Sequence, residues 1–378
     1  MTERARLEDE EALPVTERSP WLLYDDKTTG HHLRYGMGVL ASLRDLGVPV
    51  IAATSYRPPD GTRWHPTRPI DLASLQAVSK QIRRAAAVAE QAGAEAFVHL
   101  YMDKNVWGPT RPMKQFATAC VIHHTTRFLR RRPGLAGVRS RFLINRLQGL
   151  TDRGMAVIVH TTSAARTISG VVPSATITTV GYPIEPPPPV SRQTGAEVPT
   201  LLFAGTARPE KGLEYLLRAL PILKQDIRVL VMGRQDPQTR AKLEPLANGR
   251  VTWVDRYVET EELVAAYQTS TLAIVPYDNW FGTHGGASGI LLETLAFATP
   301  AVISGSIAGQ LPDDYQGAVI VEPESPEALA AGIEKALGSV ERLTEGAAAQ
   351  GPEFIRQHHS FSGYAETLVK AVEAALDR

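Results

Sequence analysis

Two stretches in the second half of the chain set charged side chains beside glycines. In Phe203-Ala204-Gly205-Thr206-Ala207-Arg208-Pro209-Glu210-Lys211-Gly212-Leu213 an apolar run meets a glycine turn, then a basic pair, then a helix start. Arg208 and Lys211 at the carboxyl end of a strand, beside a helix N-terminus, suit an anionic group and phosphate above all. A solvated turn with ordinary surface charges fits the same pattern. The spacing is not that of a P-loop, because GxxxxGK[ST] is absent. In the stretch from Phe281 to Pro300, four glycines between 282 and 289 precede a helix and let a ligand approach the backbone. The helix start at Ser288-Gly289-Ile290 offers amides and a positive dipole end. Glu293, one turn in and flanked by apolar residues, is either a ligand-binding carboxylate or a residue on an exposed helix edge. The first half contributes histidine pairs. Gly30 precedes His31-His32, and His123-His124 ends an apolar run. Neighbouring strand residues face opposite ways, so one of His123 and His124 can point into a cleft. Adjacent histidines rarely chelate one ion together and no carboxylate spacing accompanies them, so no metal site is expected.

These residues need a scaffold, and the hydrophobic pattern supplies an α/β one. The apolar run at 21–24, the helical pattern at 31–46 and the strand at 48–53 have the spacing of a βαβ unit. Further strands are expected at 96–101, 117–122, 156–160 and 177–180, with a helix at 73–92. A proline-rich segment comes next, with five prolines between 183 and 189, which neither helix nor sheet accommodates. A second series then begins: strands at 200–204, 229–232, 272–276, 301–304 and 319–321, helices at 212–223, 261–267, 288–297 and 326–337, and a last helix at 364–376. The expected organisation is a leader over 1–19, an acceptor-side domain over 20–183, a linker over 184–199, a nucleotide-side domain over 200–350, and a C-terminal segment over 351–378 that packs back on the first domain. Ligands of such sheets bind outside the carboxyl ends of the strands.

Taken together, the two charged stretches resemble the donor-binding half of retaining nucleotide-sugar glycosyltransferases of the GT-B fold, glycosyltransferase family 4. Arg208 to Gly212 matches the family's R-x-x-K-G segment. Leu292-Glu293-Thr294-Leu295-Ala296-Phe297-Ala298-Thr299-Pro300-Ala301-Val302 matches its L-E-A-x-A-x-G-x-P-V junction. The resemblance runs over roughly residues 198–335 and is weaker across 20–183. It implies two Rossmann-like α/β/α domains facing across a cleft. It also implies that Arg208 and Lys211 clamp a donor diphosphate, that the amides of Ser288, Gly289 and Ile290 hold its distal phosphate, and that Glu293 binds the ribose. Arg256 and Tyr257, in the stretch 251–258, would contact the base. Gly30 would lie near the donor phosphates, with His124 beside the transferred sugar and His31 and His123 on the acceptor side. Many members carry a Glu eight residues before the ribose Glu; here that position is Gly285, which leaves the sugar to Thr283, His284, Gly286 or backbone amides. The implied reaction moves a sugar from a nucleoside diphosphate sugar to an acceptor hydroxyl with retention, without cofactor or metal.

Composition bounds the alternatives. The 378 residues carry 40 Lys+Arg against 40 Asp+Glu, a balance that argues against a dedicated nucleic-acid binder. At about 150 residues per domain, two domains are expected. Cys120 is the only cysteine, so no internal disulfide forms. No run is long enough to span a bilayer, and the charged leader has no apolar core, so a cytoplasmic location is expected. Local charge is uneven: Arg127, Arg130, Arg131, Arg132, Arg139, Arg141 and Arg146 occur with no acidic residue between them. That stretch suits an anionic or lipid-linked acceptor and a peripheral seat at the inner face of a membrane; a solvated helix face fits it as well. Two rival functions remain: a nucleotide-sugar epimerase of the same fold, which forms an epimer rather than an acceptor product, and a non-catalytic two-lobed binding protein.

Overall fold

The computed structural model describes residues 18–27, 32–67, 75–103, 106, 114–128, 134–185 and 198–377. Gly30 and His31, as well as Arg130 to Arg132, lie outside them. The first domain is a seven-stranded parallel sheet in the order β3-β2-β1-β4-β5-β6-β7. Its strands are β1 (Trp21–Asp25), β2 (Val50–Thr54), β3 (Arg63–Pro66), β4 (Ala96–His99), β5 (Ala117–Ile122), β6 (Ala156–Val159) and β7 (Thr176–Thr179). The second is a six-stranded parallel sheet, β10-β9-β8-β11-β12-β13, formed by β8 (Thr200–Ala204), β9 (Arg228–Met232), β10 (Val251–Val254), β11 (Leu272–Val275), β12 (Ala301–Ser304) and β13 (Ala318–Val321). β1, β4, β5, β6, β11 and β12 are near-continuous apolar runs because helices cover both faces of a parallel sheet.

The helices are α1 (His32–Asp45), α2 (Leu75–Gln91), α3 (Gly134–Thr151), α4 (Thr162–Val171), α5 (Leu213–Ala219), α6 (Pro237–Leu243), α7 (Thr260–Thr269), α8 (Asn279–His284), α9 (Gly289–Ala296), α10 (Pro326–Leu337), α11 (Val340–His358) and α12 (Phe361–Leu376). Two apolar layers sandwich the first sheet. One holds Leu22, Phe97 and Leu147; the other holds Leu23, Leu40 and three residues of α12, Tyr364, Leu368 and Val372. The last helix of the chain is thus built into the core of the first domain. Among the described residues no helix is long and apolar enough to cross a membrane.

Four expectations need correction. β3 is absent from the expected strands: its Arg-Trp-His-Pro sequence sits at the sheet edge and is exposed at Arg63, Trp64 and Pro66, so no apolar run announces it. The glycine-rich stretch is not all loop. Asp278 caps α8 by accepting the Phe281 amide at 2.8 Å, and this short helix carries Thr283 and His284. The helix expected over 212–223 ends at Ala219. The domain boundary drawn at 350 falls inside α11, and the chain returns to the first domain over 358–361.

Both strand orders reverse direction in the sheet between an adjacent pair, β1/β4 in one domain and β8/β11 in the other. At such a point the two flanking connections leave to opposite sides and open a crevice beyond the strand ends. The two crevices face each other.

Candidate active site

On the second domain's wall, β8 ends at Ala204, just before Gly205, and the chain makes one tight helical turn over Pro209–Lys211. Gly212 comes next with φ of +70°, and a Cβ there would lie 2.0 Å from the Pro276 carbonyl oxygen, so only glycine lets this turn seat against the end of β11. The turn carries Arg208, whose Nε is 3.2 Å from Glu210 Oε1, and Lys211, whose Nζ is 5.7 Å from the centre of the Tyr277 ring. Buried Gln235 holds the preceding residues in place: its side-chain oxygen accepts the Ala207 amide at 2.6 Å and its amide nitrogen donates to Gly205. Its own backbone amide donates to Asp255 at 2.7 Å.

Beside this turn, α9 points its N-terminus at the same space. Ser288 caps it, its Oγ accepting the Leu291 amide at 3.2 Å. The Ser288 amide itself donates to Gln310 at 2.9 Å. Of the three amides expected to hold a phosphate, Ser288's is therefore committed within the protein, while Gly289 and Ile290 open the helix, where N–H groups have no intrahelical acceptor. Glu293, one turn later, accepts from the hydroxyl of buried Tyr267 at 3.3 Å.

The first domain's wall is built differently. Asp103, buried after β4, accepts the amides of both His123 (2.8 Å) and His124 (3.0 Å) and fixes the end of β5. Burial raises its carboxyl above the usual range against the pull of those amides, His124 and Lys27. His123 donates its Nε2 proton to the Leu100 carbonyl at 2.8 Å. His124 reaches across the domains and donates from Nδ1 to the Gly285 carbonyl at 2.8 Å. The close approach depends on Gly286, whose φ is +78° and where a Cβ would lie 2.2 Å from the His123 carbonyl oxygen. His160 donates Nδ1 to Val180 at 3.2 Å, and burial lowers its pKa to about 4, so the ring is neutral. Its ring lies 4.8 Å from that of His123, among Tyr35, Tyr182 and Tyr364.

Together the walls line a cleft of about 220 Å³, whose polar lining is Lys27, His123, His124, His160, Arg208, Lys211 and Ser288, with Tyr182 and Tyr277. A second cavity of about 200 Å³ adjoins it and shares Tyr182 and Gly289. Glu293 lines this second cavity, with Leu263, Val264 and Phe297 as apolar walls and Arg34 from α1 on the far side. Arg34 also donates to the Thr260 hydroxyl, a further link between the domains.

The structure thus brings Arg208, Lys211, Ser288, Gly289, Ile290, His123 and His124 to one cleft and Glu293 to its neighbour. It does not bring all the expected residues there. Arg256 pairs with Glu262 at 2.7 Å and Tyr257 is 61% exposed; neither lines either cavity, and the second is lined instead from α7, starting at Thr260. Thr283 and His284 bond back to Asn279 and Trp280 within α8. Gly285 and Gly286 serve the contact with His123 and His124. The basic stretch divides: Arg139 and Arg141 are exposed on α3 beside Val138 and Phe142, while Arg146 donates inward to the Val106 carbonyl at 2.9 Å. Sequence reasoning missed Asp103, Gln235, Lys27 and His160. Among the described residues no group of three or more His, Cys, Asp or Glu side chains has the arrangement of a metal site.

Residues 198–339 match the family model described as glycosyl transferases group 1. An uncharacterized glycosyltransferase of Methanocaldococcus jannaschii is 27% identical over 148 residues, 36% of this chain and 35% of the relative. The match spans about a third of that relative's length. Among solved structures, sucrose-phosphate synthase from Thermosynechococcus elongatus superposes with a TM-score of 0.73 at 17% identity, covering 94% of this chain and 98% of that one. HepE of Anabaena, solved in complex with UDP and glucose, superposes with a TM-score of 0.70 at 11% identity, covering 94% and 100%. At these identities the superpositions speak to the fold. Residues 198–339 are thus similar in sequence to the group 1 glycosyl transferases, and the chain that carries them has the GT-B fold.

Proposed function

We propose that the chain transfers a sugar from a nucleoside diphosphate sugar to an acceptor hydroxyl, with retention and without metal. The observation that carries this reading is the convergence of Arg208, Lys211 and the N-terminus of α9 on one cleft whose lining, among the described residues, has no carboxylate. The diphosphate binds there and the nucleoside extends into the adjoining cavity, its ribose hydroxyls donating to Glu293 and its base resting on Leu263, Val264 and Phe297. As the bond from the anomeric carbon to the diphosphate breaks, negative charge grows on the leaving oxygen. Arg208, Lys211 and the Gly289 and Ile290 amides stabilise it from fixed positions. The acceptor hydroxyl attacks from the same face and passes its proton to the departing phosphate. His124, tied to Gly285 by Nδ1, keeps its Nε2 as an acceptor for a sugar hydroxyl. The glycosyltransferase relatives and the UDP found in HepE support this reading.

A thermal-shift screen with UDP, GDP, ADP and TDP tests it. One nucleotide raises the midpoint in wild type, and the rise shrinks in Lys211→Ala and Glu293→Ala. If no nucleotide stabilises the folded protein, the reading falls. The exposed Val138, Arg139, Arg141 and Phe142 of α3 suit docking on an anionic membrane; flotation with anionic liposomes at low salt checks this, and no binding rejects it.

A further inference from the structure

The turn that carries Arg208 and Lys211 is pinned at both ends, and the two pins differ in kind. Inside the turn the bonds are local: the Arg208 amide donates to the Thr206 carbonyl at 2.9 Å and the Lys211 amide to the Arg208 carbonyl at 2.9 Å. They shape the turn without placing it in the cleft. At its far end backbone places it. The Asp278 amide donates to the Glu210 carbonyl at 3.1 Å, and Gly212 seats against Pro276. At its near end a side chain does. Gln235 stands in the connection after β9, between exposed Arg234 and the α6 cap Asp236, and is itself buried. Both ends of its amide are used. Its Oε1 accepts the Ala207 amide at 2.6 Å, and its Nε2 donates to the carbonyls of Gly205 (3.2 Å) and Gly233 (2.5 Å). At Gly233 the connections after β8 and β9 touch backbone to backbone, since a Cβ there would lie 2.7 Å from the Gly205 carbonyl carbon. Gln235 ties that seam together, and Asp255 holds Gln235 in turn by accepting its backbone amide at 2.7 Å.

Gly205 is also where Lys211 rests. A Cβ at Gly205 would lie 3.1 Å from Lys211 Nζ and 3.3 Å from Ile290 Cδ1. The ammonium thus lies against the residue whose carbonyl Gln235 holds, while Gln235 itself lines neither cavity.

We propose that Gln235 is a positioning residue of the phosphate clamp: it touches no substrate and sets where the Lys211 ammonium meets the diphosphate. The assignment rests on the sugar-nucleotide reading of the cleft. A fixed donor stabilises a leaving group because it stands in place before the charge develops, and a displacement of about 1 Å carries a loss of up to about 100-fold.

The test takes the full chain and the variants Gln235→Leu and Gln235→Glu. Leucine fills the volume and makes none of the three side-chain bonds; glutamate keeps the bond from Ala207 and loses both donations, and it carries the same comparisons should the leucine variant not fold. The ligands are whichever of UDP, GDP, ADP and TDP stabilises the wild type, and the nucleoside of the same base. Calorimetry reads the first and ligand-observed NMR titration the second. Both variants should bind the diphosphate at least about tenfold more weakly, the scale of one hydrogen bond to a charged group. Both should bind the nucleoside within about twofold of wild type, which also shows that they are folded. In a Lys211→Ala background Gln235→Leu should cost less than about threefold more, because residues that act through one another are not additive. Equal losses for nucleoside and diphosphate overturn the proposal by making Gln235 a general support of the domain. Unchanged diphosphate affinity in the folded variants overturns it too, as does a fully additive loss with Lys211→Ala. If the wild type binds none of the four nucleotides, the sugar-nucleotide reading falls and this assignment with it.

Discussion

The two domains share one topology and present opposite chemistry at the same place in it. Beyond β8 and β11 the second domain offers charges at the surface: Arg208 and Lys211 on a tight turn, and the start of α9. Beyond β1 and β4 the first domain hides its charges. Among the described residues every buried aspartate, Asp25, Asp26 and Asp103, belongs to it, as do buried His99, His123 and His160. On the reading proposed above, one domain is preorganised to receive an anion. The other uses buried groups to hold its own loops, and among the described residues exposes to the cleft mostly imidazole and phenol rings and one ammonium, that of Lys27. A binding wall and a shaping wall thus arise from the same strand order, because function resides in the connections beyond the strand ends and not in the sheet itself.

The sharpest way to break this contrast is to remove a charge from the binding wall. Lys211→Ala is expected to lower turnover by about 100-fold or more, the scale of one lost donor to a developing oxyanion. Steady-state kinetics on a variant with an unchanged circular dichroism spectrum checks it. Near-normal turnover would take Lys211 out of the diphosphate clamp. Next in size is the seam between the walls. Gly286→Ala puts a methyl 2.2 Å from a backbone oxygen of the other domain and at a positive φ. Turnover should fall about 10- to 100-fold, since a misplacement of about 1 Å carries that scale of loss. Small-angle scattering of the variant should show a more open particle, whereas unchanged compactness and activity would mean that the His124–Gly285 contact does not set the working geometry.

The binding wall was readable from the sequence, whereas of the shaping wall only His123 and His124 were, and the contrast itself explains why. Arg208, Lys211 and Glu293 sit on local signals: a glycine turn after an apolar run, and a glycine-rich approach to a helix. The roles of Asp103 and His160 depend on contacts that span the chain. Asp103 acts on amides 20 and 21 residues away, and His160 gains its surroundings from Tyr35, Tyr182 and Tyr364. No spacing encodes such meetings. The sheets were legible because parallel strands are solid apolar runs, and β3 was not because an exposed edge needs none. Asp278 was a readable cap for α8; the glycines around it masked the signal.

A third change tests whether the adjoining cavity belongs to the binding wall. Glu293→Ala should weaken the bare nucleoside diphosphate about tenfold, the value of a charge-assisted hydrogen bond to a hydroxyl. Lys211→Ala should weaken the bare nucleoside diphosphate too, with a larger loss in turnover. Calorimetry showing unchanged affinity in Glu293→Ala would move the nucleoside out of that cavity.

The smallest expected effect on turnover comes from the deepest group of the shaping wall. His99 closes β4 with no exposed surface, packed at 4.7 Å from the Phe97 ring and 5.7 Å from the Tyr24 ring. Neither ring nitrogen has a hydrogen-bond partner among the described residues. Burial lowers its pKa to about 3, against 6.5 for an exposed histidine, so the fold holds it neutral. The unfolded chain binds this proton below pH 6.5 and the folded chain does not. Stability from His99 is therefore complete above pH 6.5 and is lost progressively as pH falls toward 3. Asp25 works the other way: with its carboxyl raised to about 7, the fold keeps it protonated, and its contribution declines as pH rises from about 4 to 7. The two trends overlap, so a single pH profile cannot separate them, but a difference between variants can. His99→Leu removes two unpaired buried nitrogens and should stabilise the protein by about 1–3 kcal/mol at pH 7. The gap over wild type should widen by about 1.4 kcal/mol per pH unit below 6.5. Urea titrations at pH 7, 6 and 5 measure it. A constant gap would mean that His99 takes up its proton in the fold at the same pH as in the unfolded chain, and a loss of stability at pH 7 would mean that its nitrogens are paired. Turnover should stay within about twofold of wild type, since His99 lines neither cavity.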